Sequence, residues 1–158
     1  MKDKILLADD DGAVRRSLAG VLESEGFDVL TAEGGREAVR EFMAEPPDLV
    51  LLDVGMPGKN GWEVLEVMER FQPFIPVIII TARANQYERA VVSGVDALME
   101  KPLDLPLLVG TIRRLLEEPE PARRTRLSAA TFVTERLSRD ESNPVPPSVT
   151  TRSEKGVW

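Results

Sequence analysis

Five short apolar runs, spaced about every 20–28 residues, constrain the fold of this chain more than any other feature. They are Ile5–Ala8, Val29–Ala32, Leu49–Leu52, Val77–Ile80 and the shorter Ala97–Met99. Runs that are continuously apolar, rather than alternating, predict strands covered on both faces, as in a parallel sheet. Helical patterns lie between them. Val14, Leu18, Val21 and Leu22 form one stripe, and Val64, Val67, Met68 and Phe71 another. Leu107, Leu108, Thr111, Ile112, Leu115 and Leu116 form a third. Each stripe can cover one face of a sheet. Gly26 and Gly94 stand where helices should stop. Second and fourth helices are expected near Gly35–Met43 and Asn85–Ser93. Five strand–helix units predict a doubly wound α/β domain, a five-stranded parallel sheet in a three-layer sandwich. They are too few for an eight-stranded barrel.

Charge and proline mark a boundary. Residues 1–118 carry 13 Lys/Arg against 22 Asp/Glu, whereas residues 119–158 carry 7 against 5 and hold five of the twelve prolines. The reading is a domain over 1–118 and a C-terminal extension over 119–158. Leu127, Ala130, Phe132, Val133 and Leu137 suggest one short amphipathic helix over about 123–138, and the composition from Asn143 onward favours disorder. Arg123, Arg124 and Arg126 are read as a solvated or partner-binding segment, with nucleic-acid binding the lesser alternative. Truncation after Glu118 is expected to change stability little. Nothing at the start resembles a secretory leader, and no stretch approaches the ~20 apolar residues of a membrane span. The expectation is a soluble, cytoplasmic protein with no membrane partner.

The chain has no cysteine and no histidine. Disulfides, thiol nucleophiles, histidine acid–base chemistry and Cys- or His-ligated metals are thereby excluded. Carboxylates, lysine, hydroxyls and backbone groups remain, and carboxylates of this kind suit hard cations. In open α/β sheets function lies beyond the carboxyl ends of the strands. There the sequence places Asp9, Asp10 and Asp11 after strand one, Asp53 after strand three, Thr81 and Ala82 after strand four, and Lys101 after strand five. If strands one and three are neighbours, Asp9, Asp10 and Asp53 converge. Their repulsion calls for a divalent cation, and Lys101 adds a positive charge on the same edge. Acids, a cation, a lysine and a hydroxyl together suit phosphoryl chemistry. Each residue alone has a plainer reading: Asp-Asp as a helix N-cap, Asp53 as a turn former, Thr81 as a cap, Lys101-Pro102 as an ordinary loop.

Taken in register, these residues resemble the receiver domain of bacterial two-component response regulators. The matching segments are Ile5-Leu6-Leu7-Ala8-Asp9-Asp10, Asp48-Leu49-Val50-Leu51-Leu52-Asp53, and Met56-Pro57 with Gly61. Pro76-Val77-Ile78-Ile79-Ile80-Thr81-Ala82, Gly94-Val95-Asp96-Ala97 and Lys101-Pro102 continue the series over about residues 4–117. The resemblance implies a flavodoxin-like strand order 2-1-3-4-5 and a cis bond before Pro102. It implies that Asp53 accepts a phosphoryl group from a sensor histidine kinase or phosphotransfer protein. Magnesium, or manganese, would be held by Asp10, Asp53 and the carbonyl of Gly55, with Asp9 reaching it through water. Lys101, the Thr81 hydroxyl and the Ala82 amide would contact the phosphoryl oxygens. Output, to a protein target or a second copy, would use the fourth helix, fifth strand and fifth helix, with no direct nucleic-acid contact expected.

Three positions depart from the family's usual residues. Leu98 replaces a common aromatic switch residue, Gly55 a residue that is often polar, and Arg83 holds the other position that tunes phosphate lifetime. The leading reading is a stand-alone signalling switch that assists its own phosphorylation and dephosphorylation and turns over no metabolite. Two alternatives belong to other classes. An aspartyl-phosphate phosphatase-type enzyme would commonly place a second acid where Gly55 stands. A flavin-binding module would need a phosphate-cradling loop where Asp9-Asp10-Asp11 stands.

Overall fold

The computed structural model describes residues 2–56, 60–129 and 132–138. Five strand–helix units run in order: β1 (Lys4–Ala8), α1 (Gly12–Ser24), β2 (Asp28–Ala32), α2 (Gly35–Ala44), β3 (Leu49–Asp53), α3 (Gly61–Phe71), β4 (Val77–Thr81), α4 (Tyr87–Ser93), β5 (Ala97–Glu100) and α5 (Leu105–Glu117). Beyond them lie α6 (Glu120–Ser128) and β6 (Glu135–Leu137). The sheet is parallel throughout, in the order β2-β1-β3-β4-β5-β6.

The apolar runs form strands because both faces of the sheet are covered. Side chains alternate between faces along a strand. Leu6, Ala8, Val50, Leu52, Ile79 and Leu98 join Ala38 and Phe42 of α2, Val64, Leu65 and Met68 of α3 and Ala90 of α4 in one core. Ile5, Leu7, Leu49, Leu51, Ile78, Ile80, Ala97 and Met99 join Leu18 and Leu22 of α1 and Leu108, Ile112 and Leu115 of α5 in the other. β3 and β4 are buried along their whole length, whereas the edge strand β2 is only part-covered. Three helices are closed by the residue types expected. Asp11 caps α1 by accepting from the amides of Ala13 and Val14, and Asn60 and Asp104 cap α3 and α5. Gly94 ends α4 in the left-handed conformation at φ 73°. α4 begins at Tyr87 rather than near Asn85, because Asn85 itself adopts φ 62° and breaks the helical path.

The C-terminal segment corrects the sequence reading in three respects. Among the described residues a sixth strand joins the five expected. The single helix expected over about 123–138 is instead α6 followed by β6, which pairs with β5 in the register Ala97↔Glu135, Leu98↔Arg136 and Met99↔Leu137. Three residues of strand are too few to show a period in sequence, and edge pairing with β5 supplies the hydrogen bonds that select it. Nor are all the basic residues solvated. Arg123 is 4% exposed and grips Asp96, itself 4% exposed, through two contacts of 2.6 and 2.8 Å. The same guanidinium donates to the carbonyls of Phe74 and Ile75. Arg126 bridges Asp96 and Glu118. The carboxylate of Asp96 also accepts the Val77 amide at 2.9 Å. The folded unit therefore continues past Glu118, and loss of Arg123 would strand a buried charge. Ala130, the Pro57-Gly58 turn and the segment from Asn143 fall outside the described residues.

Candidate functional site

Parallel pairing of β1 and β3 aligns Ala8 with Leu52, so that Asp9 and Asp53 leave adjacent strands side by side at the carboxyl edge. Asp9 is fully buried and Asp53 is 5% exposed, while Asp10 faces solvent. One carboxylate oxygen from each of the three lies within 4.8 Å of the others. Lys101 enters from the end of β5, its backbone amide donating to the Thr81 carbonyl at 2.7 Å, and its peptide bond to Pro102 is cis. Its Nζ stands 2.8 Å from Asp9 Oδ2 and 3.3 Å from Asp53 Oδ2. Asp9, Asp10, Asp53 and Lys101 are thus brought together as the sequence predicts.

The electrostatics follow from two buried acids sharing one lysine. Burial holds the Asp53 carboxyl above the ordinary carboxylate range. The Gly55 amide, donating at 2.8 Å, pulls it down, the negative Asp9 pushes it up, and Lys101 pulls it down. Lys101 is lowered by burial, but contact with Asp9 and Asp53 outweighs this and holds it above the usual lysine value. Asp9 Oδ1 accepts the Asp11 amide at 2.9 Å. Among the described residues Asp9 Oδ2 is buried with no hydrogen bond of good geometry, although Lys101 Nζ is close enough for an ion pair. A buried carboxylate oxygen without a directional partner, beside two further carboxylates, fits a hard divalent cation with oxygen ligands.

The surroundings hold these groups in place. Thr81 is fully buried at the end of β4, one residue beyond Ile80, which pairs with Asp53. Its Oγ1 accepts the Arg83 amide at 2.9 Å. Ala82, the next residue, is exposed, as is Arg83. A Cβ on Gly55 would sit 3.3 Å from Asp53 Oδ1 and 3.5 Å from Arg83 Nε, so both side chains pass close to this glycine. Leu98 is wholly buried in the core shared with α3 and α4.

Two roles were not legible in sequence. Gly61 opens α3, and a Cβ there would lie 2.5 Å from both the Asp53 carbonyl oxygen and Val54 Cα, so only glycine lets the helix pass this close to the acidic loop. The motif contains Gly61, but the contact it avoids is tertiary. Arg15 of α1 donates to the Asp9 carbonyl at 2.8 Å, tying the first helix to the loop after β1. Its sequence signal is only a basic residue one turn into a helix.

Known proteins are similar to this chain in sequence and fold. The family model described as the response regulator receiver domain matches residues 5–113. The response regulator MprA of Mycolicibacterium vanbaalenii is 37% identical over 123 residues, covering 77% of this chain and 53% of that protein. The chain spans from about a quarter to about half the length of the first curated relatives it matches. A CheY-like receiver domain protein from Methanospirillum hungatei superposes with a TM-score of 0.70 at 29% identity, covering 74% of this chain and 95% of that one. TrrA of Thermotoga maritima, solved in complex with Mg(2+)-BeF, superposes with a TM-score of 0.66 at 32% identity over 73% of this chain and 99% of its own. With its five βα units in order 2-1-3-4-5 and its acids and lysine on one edge, this chain belongs to the response regulator receiver family.

Proposed function

We propose that this chain is a phosphorylation-dependent signalling switch whose phosphoacceptor is Asp53. The observation that carries the reading is the convergence of Asp9, Asp10, Asp53 and Lys101 on one sheet edge, with Asp9 Oδ2 buried and lacking a directional partner. A sensor histidine kinase or phosphotransfer protein supplies the phosphoryl group. An Asp53 carboxylate oxygen attacks phosphorus, the O–P bond forms, and the P–N bond to the donor imidazole breaks with its electron pair going to nitrogen. Asp10, Asp53 and the Gly55 carbonyl would hold magnesium or manganese, with Asp9 alongside. An ion held there would supply charge neutralisation for phosphoryl transfer. Lys101, already held between Asp9 and Asp53, pairs with a phosphoryl oxygen as the new charge arrives. The Ala82 amide and the Thr81 hydroxyl donate to the others. Arg83, close over Gly55, screens the adduct from attacking water and so sets its lifetime. Catalysis is confined to the chain's own phosphorylation and dephosphorylation.

Output follows from Thr81. When its hydroxyl turns to the phosphoryl group, the bond it accepts from the Arg83 amide is lost, and the loop entering α4 is released. Leu98 repacks within the core rather than swinging in from solvent, and the changed surface is that of α4, β5 and α5, offered to a protein target. The test is intact mass after incubation with magnesium and acetyl phosphate. One phosphoryl adduct is expected, absent in a folded Asp53→Asn variant. An undiminished adduct in that variant would move the site elsewhere.

A further inference from the structure

The surface formed by α4, β5 and α5 already has an occupant. β6 lies along the β5 edge, with the Glu135 amide donating to the Asp96 carbonyl at 2.9 Å. Thr134, just before it, is 1% exposed and donates to the Val95 carbonyl at 2.7 Å. Each flanking helix also grips the segment. From α4, Tyr87 donates to the Thr134 carbonyl at 2.7 Å, and Arg136 stands over the Tyr87 ring at 5.7 Å. From α5, Arg114 pairs with Glu135. Leu137 is buried in the core that α5 shares with β5. A segment held by both helices and by the strand between them blocks any partner that needs that strand edge.

Its grip on α4 is the element that phosphorylation would disturb. Thr81 fixes the Arg83 amide, and four residues further on Tyr87 fixes Thr134. Apart from Glu135 with Arg114 and Arg136 with Glu100, these contacts are hydrogen bonds, ring contacts and modest apolar burial. The anchor that does not depend on α4 lies upstream, where Arg123 of α6 is locked to Asp96. This geometry suits a strap that lifts at one end while staying tethered at the other. We infer that residues 132–138 are an autoinhibitory strap over the α4–β5–α5 surface, released when Asp53 is phosphorylated. This rests on the phosphoacceptor reading above.

The experiment is amide hydrogen exchange on the full chain, with and without magnesium and acetyl phosphate, with intact mass recorded on each sample. The expected result is a phosphoryl adduct accompanied by faster exchange over 132–138 and α4, by about 5- to 150-fold, the usual span of coupling between two sites. Exchange in β1 and β3 should stay unchanged. An adduct with unaltered exchange over 132–138 would overturn the strap while leaving the phosphoacceptor reading intact. Absence of any adduct would overturn that reading and, with it, the trigger proposed for the strap. A Tyr87→Phe variant tests the α4 grip before any phosphorylation. Loss of one neutral hydrogen bond should raise exchange over 132–138 by about fivefold. Unchanged protection in that variant would also overturn the proposal.

Discussion

Two groups of buried carboxylates sit at opposite edges of the same sheet, and they are built on opposite charge ratios. At the carboxyl edge, Asp9 and Asp53 share one lysine, and Asp53 is held above the ordinary carboxylate range chiefly by burial. At the amino edge, Asp96 is gripped by two arginines and a backbone amide. Burial pushes its carboxyl up, but the Arg123 hydrogen bonds and charge, with Arg126 and Val77, hold it below that range. Both sites are buried, so desolvation does not distinguish them. The donor count does. Asp96 has its charge satisfied and is inert, a structural lock. The acids at the other edge are under-compensated, and a cation or a change in Lys101 contacts alters their balance. Under-satisfaction is costly to stability and leaves room for a cation at this edge.

The largest way to break this contrast is to remove the lock. Arg123→Ala leaves Asp96 buried without its bidentate partner and should cost about 3–5 kcal/mol, read as a lower urea midpoint. A change under 1 kcal/mol would mean that Asp96 is solvated and that the two edges are alike.

A pH series sharpens the contrast, because the two carboxyls should act with opposite sign. Asp96 has a depressed folded value, so its contribution is present above the ordinary carboxylate pKa and is lost as pH falls through the folded value. Asp53 has a raised folded value. Its penalty is absent below the ordinary pKa, grows as pH rises between the ordinary and folded values, and is complete above the latter. Stability measured downward from neutrality should therefore gain from Asp53 before it loses through Asp96. Asp53→Asn should remove the first feature and raise stability at pH 7, while Asp96→Asn should flatten the second. Identical acid limbs in both variants would contradict the opposed shifts.

The smallest effect concerns two neighbours at the carboxyl edge. Asp10 belongs to the acidic trio, whereas Asp11 spends its carboxylate on the amides of Ala13 and Val14. Magnesium affinity, titrated by calorimetry, should fall more for Asp10→Ala than for Asp11→Ala. Asp11→Ala should instead cost about 1 kcal/mol of stability as a lost helix cap. Equal losses of affinity would place Asp11 among the ligands.

Much of this arrangement was determined by sequence alone, because it is written in local order. A strand covered on both faces must be apolar along its whole length, so Leu49–Leu52 and Val77–Ile80 announce themselves, and the residue after each run must emerge at the carboxyl edge. Asp9, Asp53, Thr81 and Lys101 were placed by that rule, and Asp11 and Gly94 by the demands of helix ends. What only the tertiary structure decided involves partners distant in the chain. Arg123 is one arginine among several in the tail until Asp96, 27 residues earlier, takes its guanidinium out of solvent. β6 is three residues whose strand conformation exists because the β5 edge offers unpaired backbone groups. Gly61 is required by the Asp53 carbonyl passing beneath it. Periodicity reports which face a residue occupies, but pairing of charges and of strand edges depends on distances that folding alone sets, and for these residues no local pattern carries that information.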